Sequence, residues 1–168
     1  MKLLTLNELS APDAREAFQR CCGARAWVER MIAARPFADH AALHAAADEF
    51  GNALQRADWL EAFAHHPRIG ESALREKFKA TATWAGAEQA GAAGTAEAVI
   101  VALAAGNRAY EERFGYVFIV CATGKRADEM LAILESRMPN DARTELDAAS
   151  AEQMKITHLR LDKLLEEA

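Results

Sequence analysis

Residues that favour helices fill almost the whole of this 168-residue chain, and strand signals are almost absent. Ala, Leu, Glu, Arg and Met dominate segments that glycine and proline separate. One run, residues 116–124, has the apolar and β-branched character of a strand, but no second strand is present to pair with it. The pattern predicts an all-α fold, in which residues 1–168 form a single compact multi-helix domain with one buried extended segment.

Charge and composition narrow the class of partner. The chain has 51% hydrophobic residues, enough for a sizeable core, and a formal net charge of -5. Binding to nucleic acid needs a concentrated basic surface, which an acidic chain of this kind does not offer. We therefore expect a small-molecule partner and no nucleic acid.

Targeting signals and cysteine usage indicate a cytoplasmic protein. The first eight residues turn acidic too early for a secretory signal. The longest apolar run, residues 98–105, is far shorter than the ~20 residues that cross a bilayer, so no membrane association is expected. Cys21, Cys22 and Cys121 have no zinc-site spacing and form a poor disulfide framework, which favours a reducing compartment.

Capping residues and helix breakers divide the chain into predicted helices. Ser10 is expected to cap an early helix with proline in its first turn, and Gly23 to close it. Asp39 is expected to cap a later helix. The remaining predictions run over about 24–34, 39–55, 58–66, 71–79, 84–90, 95–113, 126–137 and 141–167.

The break at His66-Pro67 is the strongest candidate for chemistry. Asp58 is expected to cap a helix in which Phe63 and His66 share the inner face, while His65 lies on the wetter side. Pro67 lacks a backbone N–H and disfavours the helical conformation before it, so the helix should end at about His66. Imidazole, with an ordinary pKa of about 6.5, is a natural proton carrier. A purely structural histidine at a helix end remains an alternative.

A guanidinium and an acidic pair are further candidates. In the last helix Arg160 falls on the same predicted stripe as Ala149 and Gln153, where its planar fork could bind a carboxylate. An internal ion pair or a head group that reaches water would also satisfy it. Glu88 and Gln89 could bind polar groups of a ligand, or could simply be solvated.

A metal site has weaker support. His40 and His44 have the spacing of a helical metal pair, but no Glu-x-x-His context accompanies them. A solvated helix face is the favoured interpretation, and a metal-dependent hydrolase built on His40, His44 and His66 is a distant alternative.

Short motifs, in order along nearly the whole chain, together resemble one enzyme family. That family is 2-oxo-4-hydroxy-4-carboxy-5-ureidoimidazoline (OHCU) decarboxylase, which completes the conversion of urate to allantoin. The motifs are Cys22-Gly23 with Trp27, Arg35-Pro36-Phe37, His66-Pro67-Arg68-Ile69-Gly70, Glu88-Gln89-Ala90-Gly91, Asn107 with Tyr110, the run from Phe118 to Gly124, and Lys155-Ile156-Thr157 with Leu159-Arg160-Leu161.

The resemblance implies an all-α, cofactor-free and homodimeric enzyme that decarboxylates an anionic ureidoimidazoline to (S)-allantoin. It makes His66 the catalytic acid and Glu88 its companion in the catalytic site. One position departs from the family, since Ala85 stands where a serine hydroxyl often touches the substrate. The other residues implied to surround the substrate are Pro67, Gln89, Arg160 and the backbone of Phe118, Ile119, Val120, Cys121 and Ala122.

A second class of function stays open on the sequence alone. A catalytically inactive helical binding or adapter protein could retain the same ligand pocket and the same motifs.

Overall fold

Helices are the only regular elements in the part of the chain that the structure describes, and this confirms the all-α prediction. The computed structural model describes the backbone of residues 1–82 and 89–166 and the side chains of residues 1–78 and 96–166. The helices in these residues are α1 Leu3–Glu8, α2 Ala11–Cys21, α3 Arg25–Ala33, α4 His40–Asn52, α5 Arg56–Ala64, α6 Glu71–Ala82, α7 Gln89–Phe114, α8 Ala127–Arg137 and α9 Ala142–Glu166.

Two of the predicted caps form as expected. The hydroxyl oxygen of Ser10 accepts from the backbone N–H of Asp13 at 3.3 Å, and a carboxylate oxygen of Asp39 accepts from the N–H of Ala42 at 2.8 Å. Gly115 ends α7 with φ of +82°, a conformation that glycine adopts without strain.

The boundaries of α5 differ from the prediction at both ends. The cap is Gln55, and Asp58 lies one turn inside the helix, where its carboxylate accepts from the N–H of Gln55 at 2.8 Å. The helix ends at Ala64, two residues earlier than predicted. His66 lies just beyond, and its N–H donates to the carbonyl of Phe63 at 3.0 Å, because the final turn tightens before Pro67.

Other boundaries shift by a few residues. The helix α4 ends at Asn52 rather than at residue 55, α6 extends beyond residue 79 to Ala82, and α7 begins at Gln89, before the predicted residue 95. The short helix predicted over about 84–90 lies outside the described residues up to position 88.

The internal contacts divide the chain into two units. The first unit is Met1–His66 together with Leu146–Ala168, and the second unit is Pro67–Glu145. The assignment of residues 1–168 to one domain stays a prediction.

In the first unit, aromatic side chains of α2 and α3 form the centre of the core. Phe18 and Trp27 pack edge to face at 6.0 Å between ring centroids, and the indole N–H of Trp27 donates to the carbonyl of Ala47 at 3.0 Å.

The core of the second unit lies between α6, α7 and α8. Residues 116–122 follow α7 without regular secondary structure, and Phe118, Val120 and Ala122 pack against this core, while Ile119 is 1% exposed. The predicted buried segment is therefore present and, as predicted, it does not form a strand. The core residues are Leu74, Phe78, Ile100, Leu103, Ala104, Met130 and Leu134.

Among the described residues, no helix is both long enough and apolar enough to span a membrane.

The close approach of α7 to α8 generates a stability prediction. A methyl group added to Gly106 would lie 2.9 Å from Cδ2 of Leu134, a core side chain that cannot turn into solvent. We expect Gly106→Ala to lower the free energy of unfolding by about 1–2 kcal/mol, because overpacking outweighs the gain in helix propensity. Urea denaturation measures this change.

Gly51→Ala is the matched control. Its added methyl would meet the sulfur of Met154 at 2.8 Å, but that flexible side chain can move aside. The control should keep or raise the free energy of unfolding. Equal changes in the free energy of unfolding for the two substitutions would contradict the packing argument.

Candidate functional site

His66 lies against a buried amide of the last helix. The imidazole is half-buried at the end of α5, and its Nε2 is 2.6 Å from Oε1 of Gln153. Gln153 and Thr157, one turn apart on α9, are both 0% exposed. The inward direction predicted for His66 is therefore observed, with a side-chain amide as its partner.

The surroundings of His66 favour its neutral form. Burial is the largest effect and lowers the pKa of the imidazole below its ordinary value. The contact with Gln153 acts in the opposite direction, while the electrostatic effects of Arg160 and His65 lower the pKa further. The net result is a lowered pKa, so the resting ring is mainly uncharged at neutral pH.

A close approach of the backbone supports this helix end. A methyl group at Gly23 would lie 2.5 Å from Cγ of His65, so the second residue after α2 must be small. His65 itself is exposed, as predicted. Gly23 thus provides space for the helix end rather than a left-handed cap.

Arg160 is half-buried at the end of α2. Its Nη1 donates to the main-chain carbonyls of Arg20 at 3.3 Å and Cys21 at 3.4 Å. These carbonyls belong to a helix C-terminus, which favours a cation. Within the described residues, Nε and Nη2 make no hydrogen bond and no carboxylate pairs with Arg160. The alternative of an internal ion pair is therefore not observed in this part of the chain.

The stripe of α9 runs slightly differently from the prediction. Its fully buried positions include Ala149, Gln153, Thr157 and Leu161, whereas Ile156 and Arg160 lie at its half-buried edge. These buried positions are four residues apart, so Arg160, which was predicted on the buried stripe, lies one residue before the buried Leu161.

The neighbouring thiols are unreactive at neutral pH. Burial raises the pKa of Cys21 to about 12, and burial likewise raises the pKa of Cys22. A thiolate is the nucleophilic form of cysteine, so these side chains do not supply a nucleophile.

In the irregular segment of the second unit, carbonyl groups accept hydrogen bonds, while several backbone N–H groups have no partner among the described residues. The carbonyl of Ile119 accepts from Nη1 of Arg137 at 2.7 Å, and that of Cys121 accepts from Nζ of Lys125 at 2.9 Å. Backbone N–H groups in this segment make no hydrogen bond with any described residue, and so could donate to ligand oxygens. They are the N–H groups of Phe118, Ile119, Val120 and Ala122.

A buried ion pair holds this segment in place. Nε of Arg137 donates to Oε1 of Glu145 at 2.9 Å, and both side chains are almost inaccessible to solvent. The hydroxyl of Tyr110 donates to the same carboxylate oxygen, and the amide of Asn140 donates to the other at 2.8 Å. Burial and the contact with Glu145 raise the pKa of Tyr110, so the phenol stays protonated. The buried guanidinium of Arg137 thus holds the carbonyl of Ile119 in place.

The described residues cover the remaining predicted site residues only in part. Pro67 is exposed and belongs to the second unit. Gln89 is the first residue of α7, and its side chain is outside the described part of the chain. Ala85 and Glu88 lie wholly outside the described residues, so their roles stay predictions.

His40 and His44, the suggested metal pair, have different surroundings. His44 is half-buried, its Nδ1 contacts Nδ1 of His158, and its Nε2 is 2.8 Å from Asp162. Nε2 of His158 is 2.7 Å from Asp48. The prediction of a solvated face is therefore wrong for His44, because α9 packs over it, whereas His40 is exposed. The described residues contain no group of three His, Cys, Asp or Glu that could hold a metal ion.

Two sets of polar residues received no functional role from the sequence pattern. Gln153 and Thr157 have a detectable signal, since polar residues one turn apart on an apolar face need internal partners. Arg137 and Glu145 have a weaker signal, because opposite charges near consecutive helix ends are common at solvated surfaces.

The buried ion pair generates a second stability prediction. We expect Arg137→Met to lower the free energy of unfolding by about 3–5 kcal/mol, because it leaves a buried carboxylate without its cation. Adding Glu145→Leu should recover part of that loss, since the charge is then removed as well. Chemical denaturation of the single and double variants measures both changes.

Arg15→Met is the matched control. Arg15 pairs with Glu29 at 2.8 Å, but both side chains are nearly half exposed, so the loss should be much smaller. Equal losses at positions 15 and 137 would contradict the role given to burial.

Comparisons with known proteins agree on one family. Residues 7–162 match the family model described as OHCU decarboxylase. A uric acid degradation bifunctional protein of Arabidopsis thaliana is 38% identical over 145 residues, which are 86% of this chain and 45% of that protein. This chain therefore spans less than half the length of that relative. The 2-oxo-4-hydroxy-4-carboxy-5-ureidoimidazoline decarboxylase of Amia calva is 29% identical over 99% of this chain and 95% of its own.

Solved structures show the same fold. A crystal structure of OHCU decarboxylase in the presence of (S)-allantoin has a TM-score of 0.69 and 32% identity, covering 89% of this chain and 97% of that one. A structure of (S)-allantoin synthase also has a TM-score of 0.69, but at 17% identity it supports the fold alone. The chain belongs to the OHCU decarboxylase family, as its motifs predicted.

Proposed function

We propose that this protein catalyses the cofactor-free decarboxylation of 2-oxo-4-hydroxy-4-carboxy-5-ureidoimidazoline to (S)-allantoin in urate catabolism. The observation that carries the proposal is the extent of the family match, residues 7–162, which includes both the end of α5 with His66 and the length of α9 that holds Arg160. The Amia calva relative, named for this activity, is similar along almost its whole length.

The chemistry needs positioning and one proton. Loss of CO2 leaves an electron pair that can delocalise as an enolate, so the protein must hold the carboxylate, stabilise the developing charge and protonate one face. His66 is the proposed acid. Its lowered pKa means that the resting ring must take up a proton before it gives one, and a bound anion favours that uptake by raising the pKa of the imidazole.

The proposed binding groups follow from unoccupied donors. Arg160 has Nε and Nη2 without partners among the described residues, and these can anchor an anionic or carbonyl oxygen. The unpaired amides of residues 118–122 can bind ring oxygens, as an oxyanion hole does. Glu88 and Gln89 are proposed to hold the ureido and ring groups, with Pro67 and Ala85 beside the substrate. The alanine omits one hydroxyl contact, at a cost of roughly 0.5–1.5 kcal/mol of binding.

Substitution of His66 tests the catalytic role. We expect His66→Gln to lower kcat by about 10²–10⁴-fold, because glutamine keeps a polar side chain but cannot transfer the proton. Polarimetry or circular dichroism with freshly generated substrate measures the formation of optically active allantoin.

His65→Gln is the matched control, since it alters the exposed neighbouring imidazole and should leave most of the rate. Full activity of His66→Gln would remove His66 from the mechanism. If the unsubstituted protein yields only racemic allantoin at the spontaneous rate, the decarboxylase proposal fails and the inactive binding or adapter protein becomes the better interpretation.

We also propose a homodimer in the cytoplasm. The family resemblance supports the dimer, and the Ala-rich sequence of α4 is compatible with a flat packing face. Adjacent buried thiols at Cys21 and Cys22 fit a reducing compartment. Sedimentation at assay concentration should give twice the mass of 18.3 kDa, and a monomer there would contradict the dimer. Fractionation of the source cells tests the location.

A further inference from the structure

Three polar side chains in the first unit form a hydrogen-bonded chain that ends at His66. His66, Gln153 and Thr157 are linked in that order, with 2.6 Å from Nε2 of His66 to Oε1 of Gln153 and 3.3 Å from Nε2 of Gln153 to Oγ1 of Thr157. The last two side chains are fully buried, so water does not compete for their hydrogen bonds.

The hydroxyl of Thr157 sets the direction of this chain. Its single hydrogen is donated to the main-chain carbonyl of Gln153 at 2.9 Å, with the carbonyl of Cys21 more distant at 3.5 Å. With its hydrogen on this shortest bond, Oγ1 is left to accept from the side chain of Gln153, and only the NH₂ end of an amide can donate. The reversed amide would place two oxygens against each other unless the hydroxyl gave up its shorter bond to the carbonyl of Gln153.

The direction of the amide sets the state of the imidazole. Because the NH₂ group of Gln153 faces Thr157, its oxygen faces His66, and an oxygen can only accept. Nε2 of His66 must then carry a hydrogen. In a neutral ring the other nitrogen, Nδ1, is left with the lone pair.

We infer that Gln153, held by Thr157, is a positioning residue that keeps the hydrogen of His66 on Nε2 and leaves Nδ1 as the nitrogen that transfers the proton. This inference rests on the catalytic role proposed for His66. It adds which atom reacts, and it assigns a function to two buried polar residues of α9.

The proton balance is simple. Nδ1 takes a proton from solvent, which gives an imidazolium ion. When CO2 leaves, the electron pair of the broken carbon–carbon bond forms the new C–H bond with the proton from Nδ1. The ring returns to its neutral form with the remaining hydrogen on Nε2, donated to Gln153 throughout.

The charged groups around His66 agree with a neutral resting ring. Arg160 on α9 and the neighbouring His65 both act electrostatically to lower the pKa of His66, which disfavours the imidazolium form. The hydrogen bond to Gln153 raises the pKa of His66 but does not offset burial. The side chain at position 153 therefore affects both the tautomer of His66 and the pH at which His66 is protonated.

Two substitutions at position 153 should move the pH profile in opposite directions. Gln153→Glu keeps an acceptor and adds a negative charge, so the pKa of His66 rises and the falling limb of kcat/KM moves to higher pH. Gln153→Met has similar size but no acceptor, so the limb moves to lower pH. For Gln153→Met we also expect kcat to fall by about 10-fold or more with little change in KM, since Gln153 contacts His66 rather than the substrate.

Long-range 1H–15N correlation of the folded, ligand-free protein reads the tautomer directly. His66 is assigned by the signal missing from His66→Gln. The unsubstituted protein and Gln153→Glu should carry the neutral-ring hydrogen on Nε2, whereas Gln153→Met and Thr157→Val should show a mixture with hydrogen on Nδ1. Ser150→Ala is the matched control, because it removes a similar hydroxyl bond to the carbonyl of Leu146 on the same helix and should change nothing.

A hydrogen on Nδ1 in the unsubstituted protein would overturn the inference. So would a Gln153→Met protein that kept both the original tautomer and the original pH limb. The spectrum judges the role of Gln153 without any assay, whereas the activity of His66→Gln judges the catalytic role of His66, so the two proposals fail separately.

Discussion

Buried polar groups must find partners inside the protein, and this requirement shapes both units of the molecule. In the first unit it links His66 to α9 through Gln153 and Thr157. In the second it links Arg137 to Glu145 and to the carbonyl of Ile119. A hydrophobic replacement could fill the same volume, but it would not orient an imidazole or hold an irregular backbone. The polar residues therefore add geometry that apolar packing alone does not supply.

Local physics made much of the fold predictable. Ser10 and Asp39 cap their helices because their short side chains reach a backbone N–H in the first turn, and this depends only on adjacent residues. Gly115 ends α7 for a similarly local reason. The end of α5 was less predictable, since Pro67 disfavours helix at His66 without specifying how the preceding turn tightens.

Partners that are distant in sequence were the main limit on predicting the site. His66 and Arg160 could be proposed from helical phase and motif order, yet the amide that faces His66 lies 87 positions away. His44 shows the same limit, because its spacing from His40 indicated a solvated face while its actual partners are on α9. Periodicity identifies the buried face of a helix, but it does not identify which buried residue faces which.

The charges around His66 connect binding to catalysis. Arg160 lies close enough to lower the pKa of the imidazole, and its own partners are carbonyls rather than a carboxylate within the described residues. An anion bound by Arg160 would offset this positive charge and raise the pKa of His66. The acid would then be charged mainly when substrate is present. The absence of an internal carboxylate partner among the described residues therefore matters, because a permanent ion pair would offset the charge of Arg160 before substrate arrived.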